Sequence, residues 1–220
     1  MTDADSRRDD TTGDTGYRGA PEGLIGAFKT RAPRAAPEGF LDMIEALRRL
    51  QDDVTAAAPP AELIAEATHA FTALSEKLHA YAVPEREQLT GHQTDVPGRG
   101  QVMSPKITVD EADELHAFGR VTFGRFYLGG NGAVHGGAIP LVFDELLGRL
   151  ANSGGRVPSR TAYLHVDFRS ITPVGKELRL EGRFDREEDR KRYLVGRLYD
   201  GDTLCAEADG LFVQLRPGQP

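Results

Sequence analysis

The sequence has very little cysteine, since Cys205 is the one thiol among 220 residues. No intramolecular disulfide can form, which excludes a secreted disulfide scaffold and favours a reducing cytoplasm. Residues 1–20 lack the apolar core of a signal peptide. No stretch reaches the roughly 18 consecutive apolar residues that a membrane span requires. We therefore expect a cytoplasmic protein without a membrane span.

The sequence also lacks the charge and the ligand patterns of several functional classes. Its formal net charge is −7, whereas a nucleic-acid-binding domain usually presents a basic surface. It contains neither a zinc-ligand spacing nor a phosphate-binding glycine loop of the Walker or dinucleotide type. We therefore expect neither a nucleic acid nor a metal as a partner.

The first part of the chain is polar and then helical. Residues 1–22 carry almost no apolar side chains, and this composition predicts a disordered tail. Apolar residues recur every three or four positions within residues 38–57 and again within 61–82, which is the pattern of amphipathic helices. Two consecutive prolines separate the patterns. Residues 36–83 are therefore predicted to form an antiparallel helical hairpin.

The second half is predicted to be mostly strand. Residues 84–101 are rich in polar residues, glycine and proline, and are interpreted as a linker or an active-site flap. After them, apolar residues alternate with polar ones, as in an antiparallel sheet with one covered face. The stretch from about residue 137 to 151 is apolar nearly all round, which predicts a buried helix. We therefore predict an α+β domain over residues 102–216, with an antiparallel sheet wrapped around a central helix.

Two features of this central helix carry candidate chemistry. Asp144 places a carboxylate within an apolar helix, where an unpaired buried charge would cost roughly several kcal/mol. At the helix start, His135-Gly136-Gly137 combines close backbone approach with free N–H donors, which could stabilise the oxyanion of a reacting thioester. For Asp144 the alternatives are a structural ion pair or a solvent-facing position, and for the glycines the alternative is a packed strand-to-helix turn.

The segment His135-Gly136-Gly137-Ala138-Ile139, followed by Asp144, resembles the signature of hotdog-fold thioesterases. The phenylacetate-pathway (PaaI-like) acyl-CoA thioesterase branch is the most similar. The resemblance covers about residues 102–216 and continues through four further segments: Arg160-Thr161-Ala162, Thr172-Pro173, Asp189-Arg190-Lys191 and Ala206-Glu207-Ala208.

This resemblance implies a hotdog fold and hydrolysis of an acyl-CoA thioester to a free acid and CoA. It also implies a homodimer, or a dimer of dimers, because sites of this family form across a dimer interface. No cofactor is expected, because water is the only second substrate. Hydrolysis of an acyl carrier protein thioester, a hotdog hydratase or dehydratase, and a non-catalytic acyl-CoA-binding module remain open.

The resemblance implies a role for each matching residue. Asp144 corresponds to the catalytic carboxylate, acting as a general base on water or as a nucleophile on the thioester. Gly137 corresponds to the backbone N–H that polarises the carbonyl, and His135 to a histidine that positions the thioester. Thr161 corresponds to a residue that holds the water and is expected to come from the neighbouring subunit. Asn131 is the nearest candidate for an asparagine that relatives carry before this motif.

Substrate contacts are expected from a glycine and from basic residues. Gly136 lies inside the motif and permits close approach of the substrate. Arg160, Arg190 and Lys191 are candidates for charge-assisted hydrogen bonds to the phosphates of CoA. A solvated hairpin rim is the alternative for Arg190 and Lys191.

Overall fold

The computed structural model describes residues 35–218, so the predicted tail at residues 1–22 lies outside the described residues. Helix α1 (Phe40–Ala56) buries Phe40 and Ile44, whereas helix α2 (Ala61–His79) buries no side chain. Within residues 35–218, α2 makes no extensive contact with α1 or with any other element. Both helices are present, but the predicted antiparallel hairpin is wrong. The connection between them is extended at Ala57 and Pro60, and it does not bring the two helices face to face.

Residues 84–101 are packed rather than free. They contain two short 3₁₀ turns, Glu85–Glu87 and Pro97–Gly100. Arg48 of α1 donates hydrogen bonds to the carbonyl oxygens of Gln101 and Ser104, which ties α1 to the end of this segment. The segment is therefore part of the domain's packed structure and not a free linker, and we refer to residues 84–104 as the strap.

Eight strands and a third helix follow the strap. Helix α3 is Ala138–Ala151. The strands are β1 (Ile107–Ala112), β2 (His116–Thr122), β3 (Leu128–Gly130), β4 (Ala133–Val134), β5 (Ser159–Phe168), β6 (Glu177–Glu188), β7 (Lys191–Asp200) and β8 (Thr203–Gln214).

Six of these strands form one antiparallel sheet in the order β1-β2-β6-β7-β8-β5, while β3 pairs only with β4. Helix α3 packs against five of the six strands, which confirms the predicted sheet around a central helix. Strand β1 was not recognised from the sequence, because a register shift between Val109 and Glu111 interrupts its alternation. Strand β2 ends at Thr122, and a short 3₁₀ turn at Arg125–Tyr127 follows it.

Helix α3 is covered on one side only. The side chains that face the sheet are completely buried: Val142, Phe143, Leu146, Leu147 and Leu150. On the other side Asp144 is exposed, and Leu141 and Glu145 are half-buried. The prediction of a buried helix is therefore confirmed on the side that faces the sheet, whereas the other side is not covered within residues 35–218.

Two glycines allow α3 to lie close to the sheet. Gly182 of β6 and Gly196 of β7 are register partners on neighbouring strands. A Cβ atom at Gly196 would lie 2.7 Å from Phe143 Cδ1, and one at Gly182 would lie 2.9 Å from Leu146 Cδ2. Because both contacts are shorter than van der Waals distance, a larger residue at either position would push the helix away from the sheet.

The substitution Gly196→Val tests this contact. Overpacking a tight core typically costs about 1–3 kcal/mol, so we expect the free energy of unfolding, measured by chemical denaturation, to fall by that amount. Arg197→Val on the same strand is the matched control, because Arg197 is exposed and its loss should change stability by about 0.5 kcal/mol or less. Equal stability of the Gly196→Val variant and the parent would contradict the close packing.

Candidate active site

The turn before the motif accounts for Asn131. Asn131 and Gly132 have φ values of 49° and 77° and connect β3 to β4. Asparagine followed by glycine is the favoured pair for a tight turn with two positive φ angles. Asn131 is exposed, and the turn gives it a structural role besides the predicted contact with substrate.

Backbone contacts hold His135 in place at the start of α3. The His135 N–H donates to the carbonyl of Tyr127 at 2.7 Å, and the preceding Val134 N–H donates to the carbonyl of Thr172 at 2.8 Å. A Cβ atom at Gly129 would lie 2.8 Å from the Cα of His135, so only glycine permits β3 to approach so closely. The motif turn is therefore fixed from two sides.

The imidazole of His135 interacts with the second glycine of the motif. The Gly137 N–H donates to Nδ1 of His135 at 3.0 Å. A neutral imidazole that accepts at Nδ1 carries its proton on Nε2, so Nε2–H is available as a donor. The sequence had predicted a free N–H donor at Gly137, but this N–H is occupied by Nδ1 of His135. A carbonyl oxygen would have to replace Nδ1 in order to accept this hydrogen bond.

Within residues 35–218, the Asp144 carboxylate has one hydrogen-bond partner. The Thr161 hydroxyl donates to Asp144 Oδ1 at 2.7 Å, and both residues belong to the same chain. The expectation that Thr161 reaches Asp144 from the neighbouring subunit is therefore wrong. Asp144 is also exposed rather than buried, so the hydrogen bond, and not desolvation, is the interaction that orients its carboxylate.

A β-bulge in β5 gives Thr161 this orientation. Thr161 pairs with Phe212 and Tyr163 pairs with Leu211, which leaves Ala162 without a partner on β8. Without the extra residue, Thr161 and Leu164 would face opposite sides of the sheet. The bulge places both on the side of α3, so Thr161 reaches Asp144 while Leu164 packs against the core.

Asp144 and Gly137 lie on the same side of α3 but at different positions along the helix axis. They are seven residues apart, which corresponds to about 10 Å along a helix axis and nearly two full turns. A single carbonyl group cannot be within about 3 Å of both positions. Within one chain, the site therefore consists of two separate halves, the Asp144–Thr161 pair and the His135–Gly137 pair.

Two neighbours of these halves were not identified from the sequence as site residues. The ring of Phe168 lies 3.6 Å from the position of a Cβ at Gly136 and is 56% exposed, so it forms an apolar wall beside the motif. Arg99 of the strap lies 3.5 Å from Glu145, which also accepts a hydrogen bond from Arg149 at 2.6 Å. Glu145 is thus held by two arginines.

The basic residues divide into free and engaged side chains. Arg160 and Lys191 are both register partners of Val213, from opposite sides of β8. Both are exposed, and neither forms a hydrogen bond or an ion pair within residues 35–218. Arg190 differs, because it donates to the carbonyl of Gln214 at 3.0 Å.

Arg192, next to this pair, has a structural role. It is 2% exposed and donates to the carbonyl oxygens of Ala151 and Val157. It therefore caps the end of α3 and fixes the following loop. Among the candidate basic residues, the positive charge available to a ligand lies on Arg160 and Lys191.

The bond between Gly137 and His135 makes a testable prediction. We expect neutral His135 to be the Nε2–H tautomer, as measured by ¹⁵N chemical shifts of its imidazole. Replacement of Gly137 by proline removes the N–H donor, and the φ of −71° at this position suits proline, so Gly137→Pro should lose that tautomer preference. An Nδ1–H tautomer in the parent protein would contradict the hydrogen bond.

Comparison with known proteins agrees with this geometry. Residues 131–207 match the family model described as Thioesterase superfamily. The chain is 35% identical over 96 residues to acyl-coenzyme A thioesterase THEM4 of Bos taurus, an alignment that covers 43% of this chain and 39% of that protein. It is 30% identical over 95 residues to acyl-coenzyme A thioesterase THEM5 of Mus musculus, which covers 42% of this chain and 38% of that protein. The matched region spans about two fifths of the length of these relatives.

A solved structure extends the similarity in the fold. The crystal structure of a thioesterase superfamily protein superimposes with a TM-score of 0.70 at 24% identity, and covers 86% of this chain and 100% of that chain. The 86% of this chain that aligns is a longer stretch than residues 102–216 alone. The structural similarity therefore extends into the helical part that precedes the predicted domain. The described residues therefore share the fold of a thioesterase superfamily protein, and this is the hotdog fold that the resemblance of the HGG segment and Asp144 had implied.

Proposed function

We propose that this chain hydrolyses an acyl-CoA thioester to a free acid and CoA, with Asp144 as the catalytic carboxylate. The observation that carries the proposal is the hydrogen bond from Thr161 to Asp144 at 2.7 Å, on the helix that begins with the histidine-glycine-glycine turn. The relatives over the matched region are acyl-coenzyme A thioesterases by name, which supports the same chemistry.

The separation of the two half-sites supports a dimer as the working unit. Because about 10 Å of helix lies between Gly137 and Asp144, one thioester must take the Asp144–Thr161 pair from one subunit and the His135–Gly137 pair from the other. A twofold axis that brings the halves together creates two equivalent sites. We propose a homodimer on this basis, with a dimer of dimers as the larger assembly.

The uncovered surface of the single chain supports the same assembly. Asp144 and residues 160–163 of β5 are exposed side by side, and β5 is an edge strand whose outer backbone groups have no strand partner in the sheet. Exposed edge strands are ready to pair with another chain. A second copy on this surface covers Leu141 and separates the carboxylate from bulk solvent, while leaving room for the reacting water.

The proposed reaction uses the two oxygens of Asp144 differently. Thr161 occupies Oδ1, and the other oxygen accepts a proton from water as the water oxygen attacks the thioester carbonyl carbon. The resulting oxyanion is stabilised by Nε2–H of His135, or by the Gly137 N–H once the carbonyl oxygen displaces Nδ1. The C–S bond then breaks, its electron pair leaves with sulfur, and Asp144 returns the proton to that sulfur.

The remaining parts of the proposal concern cofactors and location. Within residues 35–218, no group of three or more histidine, cysteine, aspartate or glutamate side chains is arranged to hold a metal ion, and the absence of a cofactor stays a prediction. None of the helices in this range has the length and apolar character needed to cross a bilayer. We propose a cytoplasmic location, which the single cysteine supports. We also propose that the substrate is an acyl-CoA of fatty acid metabolism.

Substitutions at the carboxylate test the activity. Release of free thiol from a panel of short, long and aryl acyl-CoAs is expected to fall at least about a hundredfold in kcat for Asp144→Asn, because a positioned base contributes about that much or more. Asp53→Asn on α1 is the control, since Asp53 is exposed and should keep full activity. Undiminished turnover by Asp144→Asn would contradict the assignment.

Thr161 is expected to act by orienting Asp144. Thr161→Val removes one hydrogen bond and should lower kcat about tenfold, whereas Thr161→Ser keeps the hydroxyl and should restore most of the rate. The measurement is kcat and KM separately for each variant, because loss of orientation lowers kcat while leaving KM nearly constant. A rate for Thr161→Ser as low as that for Thr161→Val would argue against the hydroxyl.

The exposed basic pair is expected to bind the nucleotide part of CoA. Combined Arg160→Ala and Lys191→Ala should raise KM for an acyl-CoA about tenfold through lost charge-assisted hydrogen bonds, and should leave KM for the matching acyl-pantetheine unchanged. Arg183→Ala, on the exposed surface of β6, is the charge-matched control. An equal rise in KM for both thioesters would contradict a contact with the nucleotide phosphates.

A further inference from the structure

Helix α1 docks on the 3₁₀ turn Arg125–Tyr127 through Asp52, a residue that the proposed active site does not use. Asp52 Oδ1 accepts a hydrogen bond from the Phe126 N–H at 2.8 Å. The first N–H groups of such a turn have no partner within the turn itself, so the carboxylate supplies one. A Cβ atom at Gly124 would overlap both carboxylate oxygens of Asp52. The carboxylate therefore lies directly against the backbone at the start of this turn.

The last residue of the same turn holds the histidine of the proposed site. The Tyr127 carbonyl accepts a hydrogen bond from the His135 N–H at 2.7 Å, and Nδ1 of His135 accepts one from the Gly137 N–H at 3.0 Å. Asp52 binds the turn at the preceding residue, so the two contacts lie one residue apart. A continuous path of hydrogen bonds and backbone therefore connects α1 to the motif at the start of α3.

The hairpin that leads to His135 depends on such contacts, because it lies outside the main sheet. Strands β3 and β4 form a separate two-stranded sheet, and they are only three and two residues long. A two-stranded hairpin is marginally stable on its own. The position of His135 is therefore set by the elements that flank the hairpin, and the turn Arg125–Tyr127 is one of them.

A second contact of α1 fixes the side chain of Tyr127. Arg48, one helical turn before Asp52, donates hydrogen bonds to two carbonyl oxygens of the strap. The Tyr127 hydroxyl donates to the carbonyl oxygen of Met103 in the same strap at 3.2 Å. Burial raises the pKa of this hydroxyl above its usual value, so it stays protonated and remains a donor. Through the strap and the turn, α1 therefore holds both the side chain and the backbone of Tyr127.

We propose that Asp52 is a positioning residue of the active site, which acts through the turn Arg125–Tyr127 to hold His135 where it meets the thioester. Its effect on the rate rests on the proposed function, whereas its effect on His135 rests on the contacts alone. Without the carboxylate, the turn loses this contact with α1 and His135 gains freedom to move. Because a displacement of about 1 Å can cost roughly a hundredfold in rate, a partial loss of position lowers kcat by at least about tenfold.

The kinetics of acyl-CoA hydrolysis test the effect on the rate. Asp52→Ala should lower kcat at least about tenfold and leave KM within about twofold of the parent value. Asp52→Asn keeps an oxygen acceptor and should restore kcat to within about threefold of the parent value. Asp53→Ala is the matched control, because Asp53 is the exposed neighbour on α1, and it should keep the parent kcat.

A double-mutant cycle identifies the group through which Asp52 acts. In a His135→Ala background, Asp52→Ala should lower kcat by less than about twofold, because the imidazole that it positions is already missing. A full additional loss in this background would overturn the proposal. So would a parent-like kcat for Asp52→Ala, or an Asp52→Asn variant as slow as Asp52→Ala.

Hydrogen exchange of backbone amides tests the positioning without any substrate. In Asp52→Ala, the His135 N–H should exchange at least about tenfold faster than in the parent, while the amide of Leu146 in the core of α3 changes by less than about twofold. Gly124→Ala should give the same result with Asp52 still present, because the added Cβ displaces the carboxylate. The φ of −70° at Gly124 is ordinary for alanine, so backbone strain does not contribute.

The exchange rates also separate this proposal from the proposed function. Unchanged exchange at His135, or equal acceleration at His135 and Leu146, would overturn the positioning role of Asp52. A parent protein that hydrolyses no acyl thioester would contradict the proposed function, but the exchange measurement would still decide whether Asp52 holds His135.

Discussion

The close contact between α3 and the sheet determines the arrangement of the rest of the domain. Phe143 and Leu146 fit over the paired glycines Gly182 and Gly196, and this fit leaves little freedom to rotate the helix about its axis. Because the apolar side of α3 is fixed against the sheet, Asp144 must lie on the opposite side of the helix, beside the edge strand β5. The position of the proposed catalytic carboxylate is therefore a consequence of core packing.

The exposure of Asp144 in one chain changes the physical account of the site. A carboxylate buried alone would be costly and would favour its protonated form. Here the cost is avoided, because Asp144 faces outward and accepts a hydrogen bond from Thr161. In the proposed homodimer a second subunit covers this surface and closes the site, so on this account assembly and catalysis depend on the same uncovered face.

The sequence predicted the architecture better than it predicted the orientations. Periodicity located all three helices, since their apolar residues repeat regularly, and the resemblance of the HGG segment with Asp144 implied the hotdog fold. It failed where the result depends on contacts between elements. The sequence showed that α3 is apolar on nearly every side, but not which of its sides the sheet covers within residues 35–218. Strict alternation along β5 would place Thr161 and Leu164 on opposite sides of the sheet, but the bulge puts both on the side of α3, and no local pattern reveals a bulge.

Active-site complementation tests the two-subunit account most directly. Chains carrying Asp144→Asn are mixed with chains carrying His135→Ala under conditions that exchange subunits, and thioester hydrolysis is measured against each variant alone. If each site combines Asp144 of one chain with His135 of the other, a mixed dimer holds one intact site, and activity should rise to about a quarter of the parent value. Activity no higher than the sum of the two inactive variants, with subunit exchange verified, would contradict a site shared between subunits.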